Sequence, residues 1–315
     1  MRERRGAETP SVVIGVPVFG AGGAQAVEAL TSLLAQSEPS VRYVVCDDGG
    51  GSRDALAGVL DDPRVTYRHN TARLGLVENW REVFLVGRAL YPGASYFAWG
   101  SDHDIWDREW LAKLMAALER RPTAVLAYPR VARIAAGGEW VPKDWSLDTT
   151  SEASPTGRLR SGYSRMAAGD MVYGLYRARA LERCGVFRAV LAPDRLLLAE
   201  LSLQGSFVQV PDLLWARRYE QRFTIRRQRT SLFGSAPGAA PKGPWWLQHL
   251  VVFSRATLFD RAHGLGPGQA LGASLLHASL VLRQAARRSI ARRVLRARIR
   301  IGAAVGRRWR KAAGR

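Results

Sequence analysis

The chain has 315 residues, 47% of them hydrophobic and 23% charged, which is enough apolar material for a real core and excludes an intrinsically disordered protein. Its 47 Lys and Arg against 27 Asp and Glu leave a formal charge of +20, a self-repelling excess that calls for an anionic partner such as phosphate, nucleic acid or an acidic membrane surface. Two cysteines, Cys46 in an apolar run and Cys184 beside Gly185, exclude a disulfide framework and fit core packing in a reducing compartment.

In chain order, the charged start Met1-Arg2-Glu3-Arg4-Arg5 is followed by an apolar run over 12–18 that is too short for a signal peptide. That run, Ser11-Val12-Val13-Ile14-Gly15-Val16-Pro17-Val18, is nearly continuous in β-branched residues and predicts a strand buried on both faces of a parallel sheet. Glycines around 20–23 end it. Val27, Leu30 and Leu34 then recur at helical spacing, and a second strand is expected over 41–46. The alternation continues with a helix around 56–60, a strand at 65–67, a helix over 76–89, a strand at 96–99, a helix over 110–118 and a strand at 124–128. Repeated units of this kind predict a parallel sheet with helices on both sides. Residues 137–165 are polar and weakly periodic and read as a long loop, and periodicity resumes at 171–181. A helix over 196–203 and a strand over 207–210 follow, residues 234–244 have a linker's composition, and no acidic residue occurs after Asp260. The apolar stretch 271–282 carries His277 and falls short of the ~20 residues a spanning helix needs.

Two acidic clusters occupy equivalent places: Asp47-Asp48 just past the second strand, and Asp102-His103-Asp104 just past the fourth. In an open parallel sheet, ligands bind outside the carboxyl ends of the strands, so both clusters should meet one ligand. Asp47-Asp48-Gly49-Gly50 could equally be turn residues. Asp102 and Asp104, one residue apart in aromatic surroundings, offer hard oxygen ligands to Mn²⁺ or Mg²⁺ shared with a diphosphate, and the cluster lacks the spaced Cys and His of a zinc site. The other histidines share no spacing and read as structural or surface residues. A dinucleotide fingerprint at Gly20-Ala21-Gly22-Gly23-Ala24-Gln25 fails at its sixth position, and neither a phosphate-binding Gly-Lys loop nor a hydrolase nucleophile elbow occurs.

Several of these segments together resemble a family 2 glycosyltransferase of bacterial type. The opening strand with Pro17-Val18-Phe19-Gly20, the helix ending Leu33-Leu34-Ala35-Gln36-Ser37, and Val44-Val45-Cys46-Asp47-Asp48-Gly49-Gly50 are similar to the start of that family. Asn70-Thr71-Ala72-Arg73-Leu74-Gly75 resembles its Asn-rich loop, and Trp99-Gly100-Ser101-Asp102-His103-Asp104-Ile105-Trp106 its Asp-x-Asp region. The segment from Ala192-Pro193-Asp194-Arg195 to Glu200-Leu201, ahead of Gly205 and Val210-Pro211, is similar to the one that bears the family's catalytic base. The likeness spans roughly 11–220. Gly20 stands where Asn is usual, Arg73 where a second Asn is common and His103 where Asp is frequent.

The resemblance implies an α/β GT-A fold, Rossmann-like in its nucleotide-binding part, here with a basic C-terminal helical extension. Residues 1–125 would be the nucleotide-sugar half, 126–233 the acceptor half, 234–244 a linker and 245–315 the helical extension. It implies inverting transfer of a sugar from a nucleoside-diphosphate sugar to a glycan or lipid-linked acceptor hydroxyl, as in cell-surface polysaccharide assembly. Donor contacts would come from Pro17, Val18, Phe19, Asp47, Asp48, Asn70, Arg73, Gly75, Ser101, Asp102 and His103, and metal ligation from Asp104 with Asp102 assisting. Asp194 would be the base, although Asp ahead of an apolar helix is also a good N-cap, and Glu200 is the second choice. Residues 170–176 would line the acceptor side, and Trp99, Trp106, Trp140 and Trp145 could stack on sugars or pack in the core.

Two other readings use part of the same evidence. A nucleotidyltransferase would use the same metal site and release pyrophosphate; a nucleic-acid-binding protein would account for the charge but not for the paired carboxylates, so no nucleic-acid partner is expected. Residues 283–315 hold thirteen Lys or Arg and no acid, with Ile290, Val294, Ile301, Val305 and Trp309 near helical spacing. That tail could be a solvated basic helix, could dock on the catalytic part, or could lie in the interface of an anionic membrane and hold a cytoplasmic enzyme peripherally on the inner face.

Overall fold

In the computed structural model, residues 10–20, 23–218, 232–233, 242–260 and 262–313 are described, with the backbone alone over 291–313. The β-branched run forms β1 (Val12–Val18), buried at every position. It pairs in parallel with β2 (Val41–Asp47) on one side and β4 (Tyr96–Trp99) on the other, and β3 (Val65–His69) extends the sheet beyond β2. The order β3-β2-β1-β4 places the reversal of winding at β1, and the register sets Val18 against Asp47, so the chain leaves β1 and β2 at one sheet edge. Helices α1 (Ala24–Leu34), α2 (Ser52–Leu60), α3 (Leu76–Leu90) and α4 (Trp110–Glu119) connect the strands where the helical spacing predicts them. α3 buries Val77, Trp80, Val83 and Phe84, the apolar stripe that seats it on the sheet.

Beyond β4 the sheet departs from the uniform parallel arrangement that the alternation predicts. β5 (Ile105–Trp106) and β6 (Ala124–Ile134) follow, with β7 (Trp140–Pro142) on the edge of β6. The polar stretch read as one long loop holds β7 and also α5 (Pro155–Arg165). The start signal for α5 is conventional: Ser154 accepts from the Gly157 N–H and Pro155 occupies the first turn. Its periodicity is faint because only Leu159, Gly162 and Tyr163 face inward. The periodic stretch 171–181 divides into the end of α6 (Ala168–Met171), β8 (Leu175–Arg177) and α7 (Ala178–Arg183). β8 lies antiparallel between β4 and β6, and an antiparallel neighbour needs no helical crossover. α8 (Pro193–Gln204) then leads to β9 (Ser206–Arg217), parallel to β6, and β5 closes the far edge antiparallel to β9. One sheet therefore runs through both expected halves.

The C-terminal extension is helical as expected. α9 (Trp245–Ser254) continues through a π-helical turn at Arg255–Phe259, and α10 (Pro267–Ala313) packs on α5 and α9. Most of the expected linker, residues 234–241, lies outside the described residues, as do the side chains of Val294, Ile301, Val305 and Trp309. No helix among the described residues is long and apolar enough to cross a membrane. Cys46 and Cys184 are both free and buried.

Candidate active site

Where β1 emerges between β2 and β4, a cavity of about 210 Å³ opens at the carboxyl edge of the sheet. Pro17, Val18 and Phe19 from the end of β1, Asp48 after β2, Arg73 and Gly75 ahead of α3, and Ser101, Asp102 and His103 after β4 all line it. Four further wall residues escaped the sequence reading of the donor site: Leu76, Asn79 and Trp80 from the first turns of α3, and Tyr173. Asn79 and Trp80 sit four and five residues past Gly75, so a helix beginning at Leu76 was the signal for them. Phe19 is 56% exposed, and the Arg73 guanidinium lies 4.5 Å from its ring centroid, a cation–π pair that forms one rim.

The two neighbouring carboxylates do different work. Asp47 does not line the cavity: its Oδ1 accepts from the Gly49 and Gly50 N–H groups and its Oδ2 from Ser52 N–H and the Tyr67 hydroxyl, at 2.9–3.1 Å. Burial pushes its pKa up, but these bonds outweigh it and hold the carboxyl below the usual range. Asp47 thus takes the turn role, its carboxylate held by its own loop and by Tyr67 of β3. Asp48 reaches across to the loop before α3, where Oδ1 accepts from Asn70 Nδ2 at 3.1 Å and Leu74 N–H at 2.6 Å, and Oδ2 from Gly75 N–H at 2.7 Å. Asn70 also lies behind the wall, donating to Asn79, which in turn donates to the carbonyls of Val18 and Cys46. Gly75 has φ +84° and ψ 165°, a conformation open to glycine alone without strain, and this turns the loop into α3.

Past β4, the Ser101 hydroxyl accepts from the Asp104 N–H at 3.0 Å and bends the chain. Asp102 faces the cavity and Asp104 is fully buried behind it. His103 spans them, its Nδ1 donating to Asp102 at 2.7 Å and its Nε2 lying 3.8 Å from Asp104 Oδ1. Burial lowers the His103 pKa, yet the two carboxylates prevail and raise it. Asp104 Oδ1 accepts from the Arg218 N–H at 2.9 Å, whereas its Oδ2 is buried with no partner among the described residues. Burial raises the Asp104 pKa, offset only in part by His103 and Arg217. An orphaned buried carboxylate oxygen next to a cavity-facing carboxylate suits a hard cation. Among the described residues no three His, Cys, Asp or Glu converge on one point, so the protein side of such a site would consist of these two carboxylates.

Tyr173 joins this cavity to the segment carrying Asp194. The Arg217 guanidinium lies 5.9 Å from the Tyr173 ring centroid and donates to Asp170 Oδ1 and the Gly169 carbonyl, both at 2.9 Å. Lys143 also pairs with Asp170. A methyl group at Gly169 would lie 3.5 Å from Arg217 and 3.8 Å from Asp194 Oδ2, so Arg217 and Asp194 flank this one glycine. Asp194 Oδ1 accepts from the Arg195 N–H. Burial raises the Asp194 pKa, and Arg195 and Arg217 moderate the rise. Glu200 does not line the cavity: it is buried against Arg188 at 2.7 Å, with burial pushing its pKa to about 8. The remaining members of 170–176 are core residues. Trp99 and Trp106 are also core, Trp99 donating its indole N–H to the Trp80 carbonyl, and Trp145 stacks on Tyr128, so the cavity's own tryptophan is Trp80.

The model of the family described as Glycosyl transferase family 2 matches residues 13–185, more than half of the chain, and the chain therefore belongs to that family and is a glycosyltransferase. Among solved structures, the crystal structure of residues 1–349 of S. aureus TarS is similar with a TM-score of 0.58 at 13% identity, covering 86% of this chain and 71% of that one. The same fragment in complex with UDP-GlcNAc gives 0.57 at 13%, covering 82% and 69%. The mannosyltransferase PcManGT from Pyrobaculum calidifontis, in complex with GDP-Man and Mn²⁺, gives 0.50 at 16%, covering 86% and 70%. These likenesses bear on the fold, which is GT-A. No curated protein matches the sequence.

Proposed function

We propose that this family 2 glycosyltransferase takes its sugar from a nucleoside diphosphate, held in the cavity at the end of β1, and transfers it with inversion to an acceptor hydroxyl activated by Asp194. The observation that carries the reading is convergence: segments spread over more than eighty residues of the chain, at 17–19, 48, 73–75 and 101–103, line one cavity at the winding reversal of the sheet. The bound UDP-GlcNAc of TarS and the GDP-Man and Mn²⁺ of the mannosyltransferase support the same ligand class here.

Within the cavity Phe19 and Arg73 offer flat surfaces to a base, and Asp48, with capacity beyond its three accepted bonds, can accept from a ring N–H or a ribose hydroxyl. Asp102 and Asp104 would hold Mn²⁺ or Mg²⁺, which neutralises charge on a departing diphosphate; a hard cation bound by one or two carboxylates plus phosphate oxygens needs no further protein ligand. Asp194 would take the proton of the acceptor hydroxyl as the acceptor oxygen bonds the anomeric carbon and the bond from that carbon to the diphosphate oxygen breaks. Burial raises the pKa of Asp194 and makes it a better proton acceptor than an ordinary carboxylate, while Arg195 and Arg217 moderate the rise. Residues 1–125 would then bind the donor and 126–233 the acceptor.

The acceptor would be a glycan or lipid-linked sugar at the inner face of the cell membrane. α10 supports this reading with an exposed stripe at helical spacing, Leu271, Leu275, Leu282 and Ile290, flanked by exposed Arg283 and Arg287 and followed by ten more basic residues after Arg288. Incubation with UDP-, GDP- and dTDP-sugars and Mn²⁺ should release free nucleoside diphosphate by slow donor hydrolysis. Calorimetry should show metal-dependent nucleotide binding that weakens in Asp102→Ala and Asp104→Ala. Release of pyrophosphate would replace the reading with nucleotidyl transfer, and undiminished affinity in both variants would remove the metal.

A further inference from the structure

The segment that presents Asp194 is conformationally strained, and its restraint comes from a distant part of the chain. Val186 and Ala192 both have positive φ, +44° and +53°, in the left-handed region that side chains with a Cβ avoid. Pro193 then opens α8 without an N–H to contribute, and Asp194 lies in its first turn. Leu191, between the two strained positions and 1% exposed, has both backbone polar groups taken by consecutive residues of α9. Its N–H donates to Gln248 Oε1 at 2.8 Å, and its carbonyl accepts from His249 Nε2 at 2.7 Å.

Both partners are themselves fixed. Gln248 donates through Nε2 to the carbonyls of Lys242 and Gly243, at 3.2 and 3.1 Å. His249 is fully buried, edge-on to Trp245 at 5.3 Å and parallel to His277 of α10 at 6.5 Å. Burial pulls the His249 pKa down to about 4, so the ring is neutral at physiological pH and carries its single proton on the nitrogen facing Leu191. α9 also lies outside residues 13–185, the span of the family match.

We infer that Gln248 and His249 are positioning residues for catalysis: by clamping Leu191 from both sides, the C-terminal helices hold the strained turn that aims Asp194 at the acceptor. The inference rests on Asp194 being the base. A base displaced by ~1 Å loses on the order of a hundredfold in rate while a donor site elsewhere is untouched, so the clamp should register in turnover and not in nucleotide affinity.

The test compares Gln248→Leu, His249→Phe and His249→Gln with wild type and Asp194→Asn. Amide hydrogen exchange is followed over residues 187–196, and hydrolysis and binding are measured with UDP-GlcNAc and GDP-mannose. Gln248→Leu and His249→Phe should lose protection in that peptide and about tenfold or more in kcat, with nucleotide Kd unchanged; His249→Gln, whose amide nitrogen reaches the same point, should restore most of both. Unchanged exchange and turnover in both disruptive variants would overturn the clamp, as would a parallel loss of nucleotide affinity or a His249→Gln no better than His249→Phe. Should His249→Phe fail to fold, Gln248→Leu decides alone. Near wild-type turnover in Asp194→Asn would instead overturn the base assignment, whereas an inactive Asp194→Asn beside fully active clamp variants would overturn the clamp only.

Discussion

Asp48→Ala would remove a carboxylate that accepts three hydrogen bonds from the loop ahead of α3: those of Asn70 Nδ2, Leu74 N–H and Gly75 N–H. Asp48 is 5% exposed, so the orphaned donors have little water to turn to. A hydrogen bond to a charged group contributes about 1.5–3 kcal/mol, and three that share one acceptor add less than their sum. Since the cavity can admit water to part of the gap, the net cost should be about 3–5 kcal/mol, a large share of a typical domain's stability. The same change frees Arg73 from its place over Phe19 and removes an acceptor from the cavity wall, so nucleotide affinity should fall by about a hundredfold, or roughly 2.7 kcal/mol. Urea unfolding followed by tryptophan fluorescence, and calorimetry with UDP and GDP, measure the two effects separately. A destabilisation below about 1 kcal/mol together with unaltered affinity would show that this carboxylate neither holds the loop nor meets the ligand.

Two further outcomes follow from the C-terminal helices. Replacing Leu271, Leu275 and Leu282 together by Glu should abolish sedimentation with phosphatidylserine vesicles and leave nucleotide binding intact, and wild-type binding should weaken in high salt; equal sedimentation of variant and wild type would remove the stripe from the membrane reading. His249 and His263 are buried with pKa values pulled down to about 4, and burial also pulls His277 well below the usual imidazole range, so between pH ~6.5 and ~4 the unfolded chain binds more protons than the folded one. Stability is therefore fully present above pH ~6.5 and is lost as pH falls through that window, by up to roughly 3 kcal/mol for each of the first two histidines. A melting temperature that stays flat from pH 7 to 4.5 would refute the burial argument.

Much of the donor half was legible in the sequence because its signals are local. A nearly continuous β-branched run reads as a strand covered on both faces, and Asp clusters at the ends of such strands fall at one sheet edge once the strands are parallel. That geometry pointed Asp48 and Asp102 at one ligand, the family resemblance added Arg73 and Gly75, and the structure brings these residues into one wall. Local signals stop where a residue's role depends on what lies across from it. Asp47 and Asp48 are chemically identical neighbours, yet one closes its own turn and the other reaches residues 70–75, a difference set by the alternation of side chains at the end of β2. α5 was hidden by its polarity, since a helix that buries three residues has almost no apolar period to read. β8 was hidden because its antiparallel place between β4 and β6 depends on pairing with strands distant in sequence. The grip of Gln248 and His249 on Leu191 spans more than fifty residues and ends on backbone atoms, which carry no side-chain identity, so only the tertiary structure could reveal it.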